Sequence, residues 1–151
     1  MSRAFVKEDD DAVEDLPERP ISTAPNFVTS KGLAAIEAEV ARLSDVLSNA
    51  GEDRNERARI ARDLRYWTAR RSTAQLVPPP HDFEVARFGC TVTITRDDGR
   101  SQTFRIVGED EAAPEHGTLS HVSPLARAVL GKSVGDTAPV AGHEVEITNI
   151  A

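Results

Sequence analysis

The chain has 151 residues, 39% of them hydrophobic, and a formal net charge of −7, which allows one or two small domains and one modest apolar core. No apolar run is long enough to cross a bilayer as a helix, and the acids Glu8, Asp9, Asp10 and Asp11 argue against a secretory leader. The single cysteine, Cys90, cannot form an internal disulfide, so a cytoplasmic protein is expected.

Charge is unevenly spread along the chain. Residues 1–20 hold three basic and seven acidic side chains, 51–75 hold seven arginines against four acids, and the stretch from His81 onward holds six basic against eleven acidic residues. A basic segment followed by an acidic one suggests electrostatic orientation on a large partner; ordinary solvated surface is the plainer reading.

Residues 1–26 combine a run of acids with Pro17, Pro20 and Pro25 and few apolar groups. Such a segment buries too little surface to offset its ordering entropy, and disorder is expected. From residue 27 to 77 the pattern is helical. Leu33, Ile36, Val40, Leu43 and Leu47 form one apolar seam, with Thr29 or Ser30 as the cap. Ser48-Asn49-Ala50-Gly51 stops that helix. A second seam follows at Ile60, Leu64, Trp67, Arg71 and Ala74. Two such helices on so short a connection form an antiparallel hairpin, a short coiled coil with arms of about 27 Å at 1.5 Å per residue.

Residues 78–82 read as a linker, because Pro78, Pro79 and Pro80 end the second helix and favour a stiff extended spacer. In 83–151 the period becomes two. Phe88, Cys90, Val92 and Ile94 share one face of a strand, Asp97-Asp98-Gly99 makes a hairpin turn, and Phe104 and Ile106 face inward on the return. Ser123 caps a short helix with Pro124 in its first turn and Gly131 past its end. Val134-Gly135-Asp136 is a turn, and 137–140 and 144–150 are closing strands. The fold class is α+β: a helical hairpin, then an antiparallel sheet with one short helix.

Candidate chemistry is sparse. His81, His116, His121 and His143 lack metal-ligand spacing, and Cys90 alternates with core residues as a small buried hydrophobe does. No phosphate-binding glycine loop or nucleophile elbow is present. The arginines of the second helix could meet nucleic acid, but that helix also carries Asp63 and the sheet has no exposed stacking aromatics. At the hairpin tip, Glu52, Asp53 and Glu56 could help hold a divalent cation or simply complement the positive end of the helix that starts there.

Phe88-Gly89-Cys90-Thr91-Val92, Phe104-Arg105-Ile106-Val107-Gly108-Glu109-Asp110-Glu111, Ser123 through Lys132 (SPLARAVLGK) and Val134-Gly135-Asp136 resemble, in order, the C-terminal domain of the GreA/GreB transcript-cleavage factors of bacterial RNA polymerase. Phe27-Val28-Thr29-Ser30-Lys31-Gly32-Leu33 resembles the start of that family's coiled coil, and Arg65-Tyr66-Trp67 the end of its second helix. The resemblance implies an FKBP-like body and a cytoplasmic monomer docking at the rim of the polymerase secondary channel, with nucleic acid met only through the polymerase complex and no membrane. The corner at Ser123, Pro124, Leu125 and Arg127 corresponds to the polymerase-contacting region. The resemblance further implies a non-catalytic regulator without a cofactor of its own, any RNA cleavage being done by the polymerase centre.

The family's finger is several turns longer per arm, and its tip motif places asparagine after the glutamate. Here Asp53 and Glu56 keep the acid spacing, but Arg57 follows. Short-fingered relatives such as Rnk, called a nucleoside diphosphate kinase regulator, resemble this reduced form, so little or no stimulation of cleavage is expected. A cleavage-stimulating factor, a regulator of an enzyme such as nucleoside diphosphate kinase, and a peptidyl-prolyl isomerase are the alternatives. The last rests on fold alone, which does not transfer function.

Overall fold

A computed structural model describes residues 16–151. In chain order the elements are β1 (Phe27–Val28), α1 (Ser30–Ser48), α2 (Arg54–Thr73), β2 (Gln75–Leu76), β3 (Thr91–Arg96), β4 (Ser101–Val107), a 3-10 turn (Pro114–His116), β5 (Thr118–Ser120), α3 (Pro124–Val129), β6 (Thr137–Val140) and β7 (His143–Ile150). They divide into two compact units. One contains residues 16–22 with Glu37–Ser72, the other Thr23–Ile36 with Thr73–Ala151. Among the described residues no helix is long and apolar enough to cross a membrane.

The first unit holds the greater part of the helical hairpin, Glu37–Ser48 of α1 and α2 up to Ser72, while the first turns of α1 belong to the second unit. α1 has 19 residues and α2 has 20, so each arm is about 30 Å long at 1.5 Å per residue. From α1, Val40 and Leu43 are buried in this unit. From α2 the seam is only half-buried, apart from Arg70, which is 2% exposed. The expected seam named Arg71, which is exposed. Both arginines lie within one turn of Trp67 on the helix, and periodicity alone cannot choose between offsets of three and four; a long aliphatic stem lets either be drawn inward.

Residues 16–22 depart from the expected disorder. They carry no regular secondary structure, yet Arg65 makes a two-pronged ion pair with Glu18 (Nη2 to Oε1 2.6 Å, Nε to Oε2 3.0 Å), and Arg19 stacks over the Tyr66 ring at 4.0 Å. Pro17 and Pro20 bracket this pair and restrict the unfolded backbone, which lowers the entropy lost on ordering. Residues 1–15 of the expected disordered segment lie outside the described residues.

The second unit is built on a five-stranded sheet in the order β5-β4-β3-β7-β6. β3 pairs antiparallel with β4 and β7, and β6 with β7, but β4 and β5 run parallel. The sheet is therefore mixed rather than antiparallel throughout. β5 was not foreseen because three half-buried residues, Thr-Leu-Ser, carry no periodic signal. The inward residues Val92, Ile94, Ile106 and Ile147 are fully buried, and α3 closes the core with Ala126 and Val129. Cys90 belongs to this core and is fully buried. Phe88 lies before β3, only partly buried, because Gly89 turns the chain with φ +89°.

The expectation that the proline run ends α2 is also corrected. The helix stops at Thr73, and β2 intervenes, pairing parallel with β1. The Gln75 N–H donates to the Asn26 carbonyl at 2.8 Å and the Val77 N–H to that of Val28 at 2.9 Å. These long-range bonds satisfy backbone groups that a continued helix would have used internally. Gly108 makes the crossing possible: a Cβ there would stand 2.5 Å from the Phe27 carbonyl oxygen.

Candidate functional site

The hairpin tip is organised by Asp53. Its Oδ1 accepts from the backbone N–H groups of Asn55 at 3.0 Å and Glu56 at 3.3 Å, and its carbonyl accepts from the Arg57 N–H at 3.0 Å. This is an N-cap, which satisfies donors that the first helical turn leaves open. Arg57, standing where the resembled motif has asparagine, turns back to the Ala50 carbonyl at 3.3 Å and so ties the tip loop to α2. Glu52, Asp53 and Glu56 are all exposed. Among the described residues no group of three or more His, Cys, Asp or Glu side chains is placed to hold a metal ion. The tip acids are near one another in sequence, but the fold does not gather their carboxylates.

The corner before α3 is capped. Ser123 has extended backbone (φ −64°, ψ 152°) and its hydroxyl accepts from the Ala126 N–H at 3.3 Å, with Pro124 in the first helical turn. Pro124 and Arg127 are exposed, Ser123 half-buried, and Leu125 9% exposed within the core. The four residues thus have different parts. Ser123 and Leu125 fix the corner, while Pro124 and Arg127 are the side chains available for contact.

The segment entering α1 is held by Thr29, one of the two caps expected from the sequence, and by partners that sequence reasoning did not connect to it. Thr29 caps α1: its hydroxyl accepts from the Gly32 N–H at 2.9 Å and donates to Glu111 Oε1 at 2.5 Å. Phe27, Phe88 and His121 form an aromatic cluster with ring centroids 5.4–6.0 Å apart, an arrangement that favours edge-to-face and tilted contacts. Nothing in the local sequence joins residues 27, 88 and 121; only the tertiary crossing of β1 does. Glu18, Arg19 and Tyr66 were missed for a related reason, since ion pairs between segments leave no periodic trace.

The chain thus combines a capped helical hairpin with a mixed sheet carrying one short capped helix. A family model described as "Transcription elongation factor, GreA/GreB, C-term" matches residues 80–151. Transcription elongation factor GreA of Ruegeria pomeroyi is 31% identical over 134 residues, covering 75% of this chain and 86% of that protein. GreA of Thermomicrobium roseum is 34% identical over 112 residues, covering 72% and 71%, and GreB of Neisseria meningitidis serogroup B 37% over 97 residues, covering 60% of each. The chain belongs to the GreA/GreB family of transcription elongation factors. Among solved structures, GreA factor homolog 1 (Gfh1) of Thermus thermophilus is 20% identical, covering 85% of this chain and 99% of that one with a TM-score of 0.42; so loose a likeness supports no functional step.

Proposed function

We propose that this protein binds bacterial RNA polymerase at the rim of the secondary channel and regulates elongation, with little or no stimulation of transcript cleavage. Family membership supports the partner. The observation that carries the non-cleaving half is the Asp53 cap: the carboxylate that would have to reach a metal already accepts two backbone N–H groups. Metal assistance needs carboxylate oxygens within about 2–2.5 Å of the ion, and arms of 19 and 20 residues give a finger of about 30 Å. The protein acts as a monomer without a cofactor, and meets nucleic acid only through the polymerase complex. Any cut in the RNA is made by the polymerase.

Core polymerase should retain the protein at low salt, and Pro124→Ala should weaken that retention while circular dichroism stays unchanged. Absence of binding at low salt would sink the reading. Backtracked complexes should cut their RNA at the same rate with and without the protein. Asp53→Asn with Glu56→Gln separates the two roles of the tip, because asparagine caps as well as aspartate. An acceleration seen with the native chain and lost in this variant would replace the proposal with a catalytic tip.

A further inference from the structure

Residues 16–22 lay a short strap against α2. Glu18 lies in the two-pronged grip of Arg65, with Nε–Oε1 at 3.1 Å, Nε–Oε2 at 3.0 Å and Nη2–Oε1 at 2.6 Å. Arg62 also favours its charged form through space. Arg19 sits beside Asp63, Nη1 to Oδ1 3.4 Å, and over the faces of Tyr66 at 4.0 Å and Trp67 at 5.8 Å. The surface of α2 therefore holds an acidic residue followed directly by a basic one. An arginine fork matched to a carboxylate is the geometric half of that recognition, and a cation over an aromatic face the other.

We propose that this Arg65–Tyr66 surface of α2 is a docking site for an acidic polypeptide segment of a partner, which residues 16–22 occupy in cis as an autoinhibitory strap. The strap has the strength such a role needs. Its ion pair is exposed, the side chains of Arg65 and Glu18 being 57% and 62% accessible, and exposed pairs are weak. Being tethered gives it an advantage through effective concentration rather than through strong contacts. A partner with several suitably spaced carboxylates can displace it. The commitment to a polypeptide rests on the occupant itself, a carboxylate held by a planar fork beside a cation held by Asp63. A continuous polyanion would meet Asp63 as a repulsive charge.

Trp67 is the only tryptophan in the chain, so it reports on the strap directly. In the full chain, Glu18→Ala with Arg19→Ala should raise the acrylamide quenching of Trp67 without altering far-ultraviolet circular dichroism. The same variant should bind a fluorescein-labelled acidic decamer, glutamates interrupted by one arginine that can meet Asp63, about three- to thirtyfold more tightly than the native chain, the range that one exposed ion pair and one arginine stacked on an aromatic face convert to. Adding Arg65→Ala should cancel that gain. Equal quenching, or equal decamer affinity, in native and double-substituted chains overturns the proposal. Tighter binding of a single-stranded oligonucleotide of equal charge overturns the assignment to polypeptide. Failure to bind polymerase leaves these readouts untouched, so the two proposals can fail separately.

Discussion

The two units of this molecule are built on different principles. In the sheet unit, Cys90, Val92, Ile94, Ile106, Val107, Val129 and Ile147 have no exposed surface, and burial on this scale is the largest favourable term in folding. Among the described residues of the hairpin unit the buried ones are Val40, Leu43 and an arginine, Arg70. Two helices alone cannot enclose a core, so α2 keeps its apolar side chains half-buried and gains contacts from residues 16–22. The difference teaches that the sheet unit stands by packing, while the hairpin depends on caps, ion pairs and one arginine set over two aromatic rings. The first kind of stability tolerates little change of volume, and the second responds to charge.

The largest effect should come from the sheet core. Phe104→Ala, at a position 1% exposed, should cost about 3–5 kcal/mol by transfer and cavity terms, read as a lower denaturant midpoint. Leu64→Ala on the half-buried face of α2 should cost well under half of that in the same measurement. Comparable losses would dissolve the contrast between the units. Next comes Gly108→Ala. Its Cβ would press on the Phe27 carbonyl oxygen, backbone against backbone, and should cost about 1–3 kcal/mol, read by thermal unfolding.

A smaller effect is expected where each unit relies on a cap. Asp53→Ala and Ser123→Ala should each cost about 0.5–2 kcal/mol, while Asp53→Asn should restore nearly all of the first loss. Recovery by asparagine distinguishes a cap from a charge. Between β6 and β7, Ala141 has φ +51° beside Gly142 at +81°. Ala141→Gly should therefore be neutral to stabilising, by up to about 1 kcal/mol, since glycine removes the left-handed cost of alanine but adds unfolded-state freedom.

The smallest effect is acid release of the strap. The hydrogen bond from Arg65 holds the Glu18 carboxyl below its ordinary 4.5. A group depressed in the folded state contributes fully above its unfolded value and loses that contribution as pH falls through the folded one. Trp67 quenching should therefore stay constant from neutral pH down to about 4.5 and rise below it, and Glu18→Gln should remove that rise.

Much of this was legible in the sequence because it followed from periodicity or turn chemistry. The alternation around Cys90, Val92 and Ile94 identified a half-buried strand, and Asp97-Asp98-Gly99 and Val134-Gly135-Asp136 identified turns whose glycines do have φ of +86° and +92°. Ser123 was readable as a cap from its place before Pro124, and Asp53 as a capping acid from its place before α2. The resemblance to the GreA/GreB factors came from ordered motifs in the same region.

What the tertiary structure alone decided are the meetings of distant segments. β1 and β2 are single dipeptides whose pairing joins residues 27 and 75, and nothing in a dipeptide states its partner. β5 joins β4 in parallel through half-buried residues that show no alternation. Arg70 rather than Arg71 is buried because the rotation of a helix is set by what packs against it, not by the helix itself. The strap at Glu18 and Arg19 reads as a polar, proline-rich segment until Arg65 and Tyr66 are placed beside it. Local patterns record which face of an element is apolar; which elements meet, and which charges they bring together, is fixed only when the chain closes on itself.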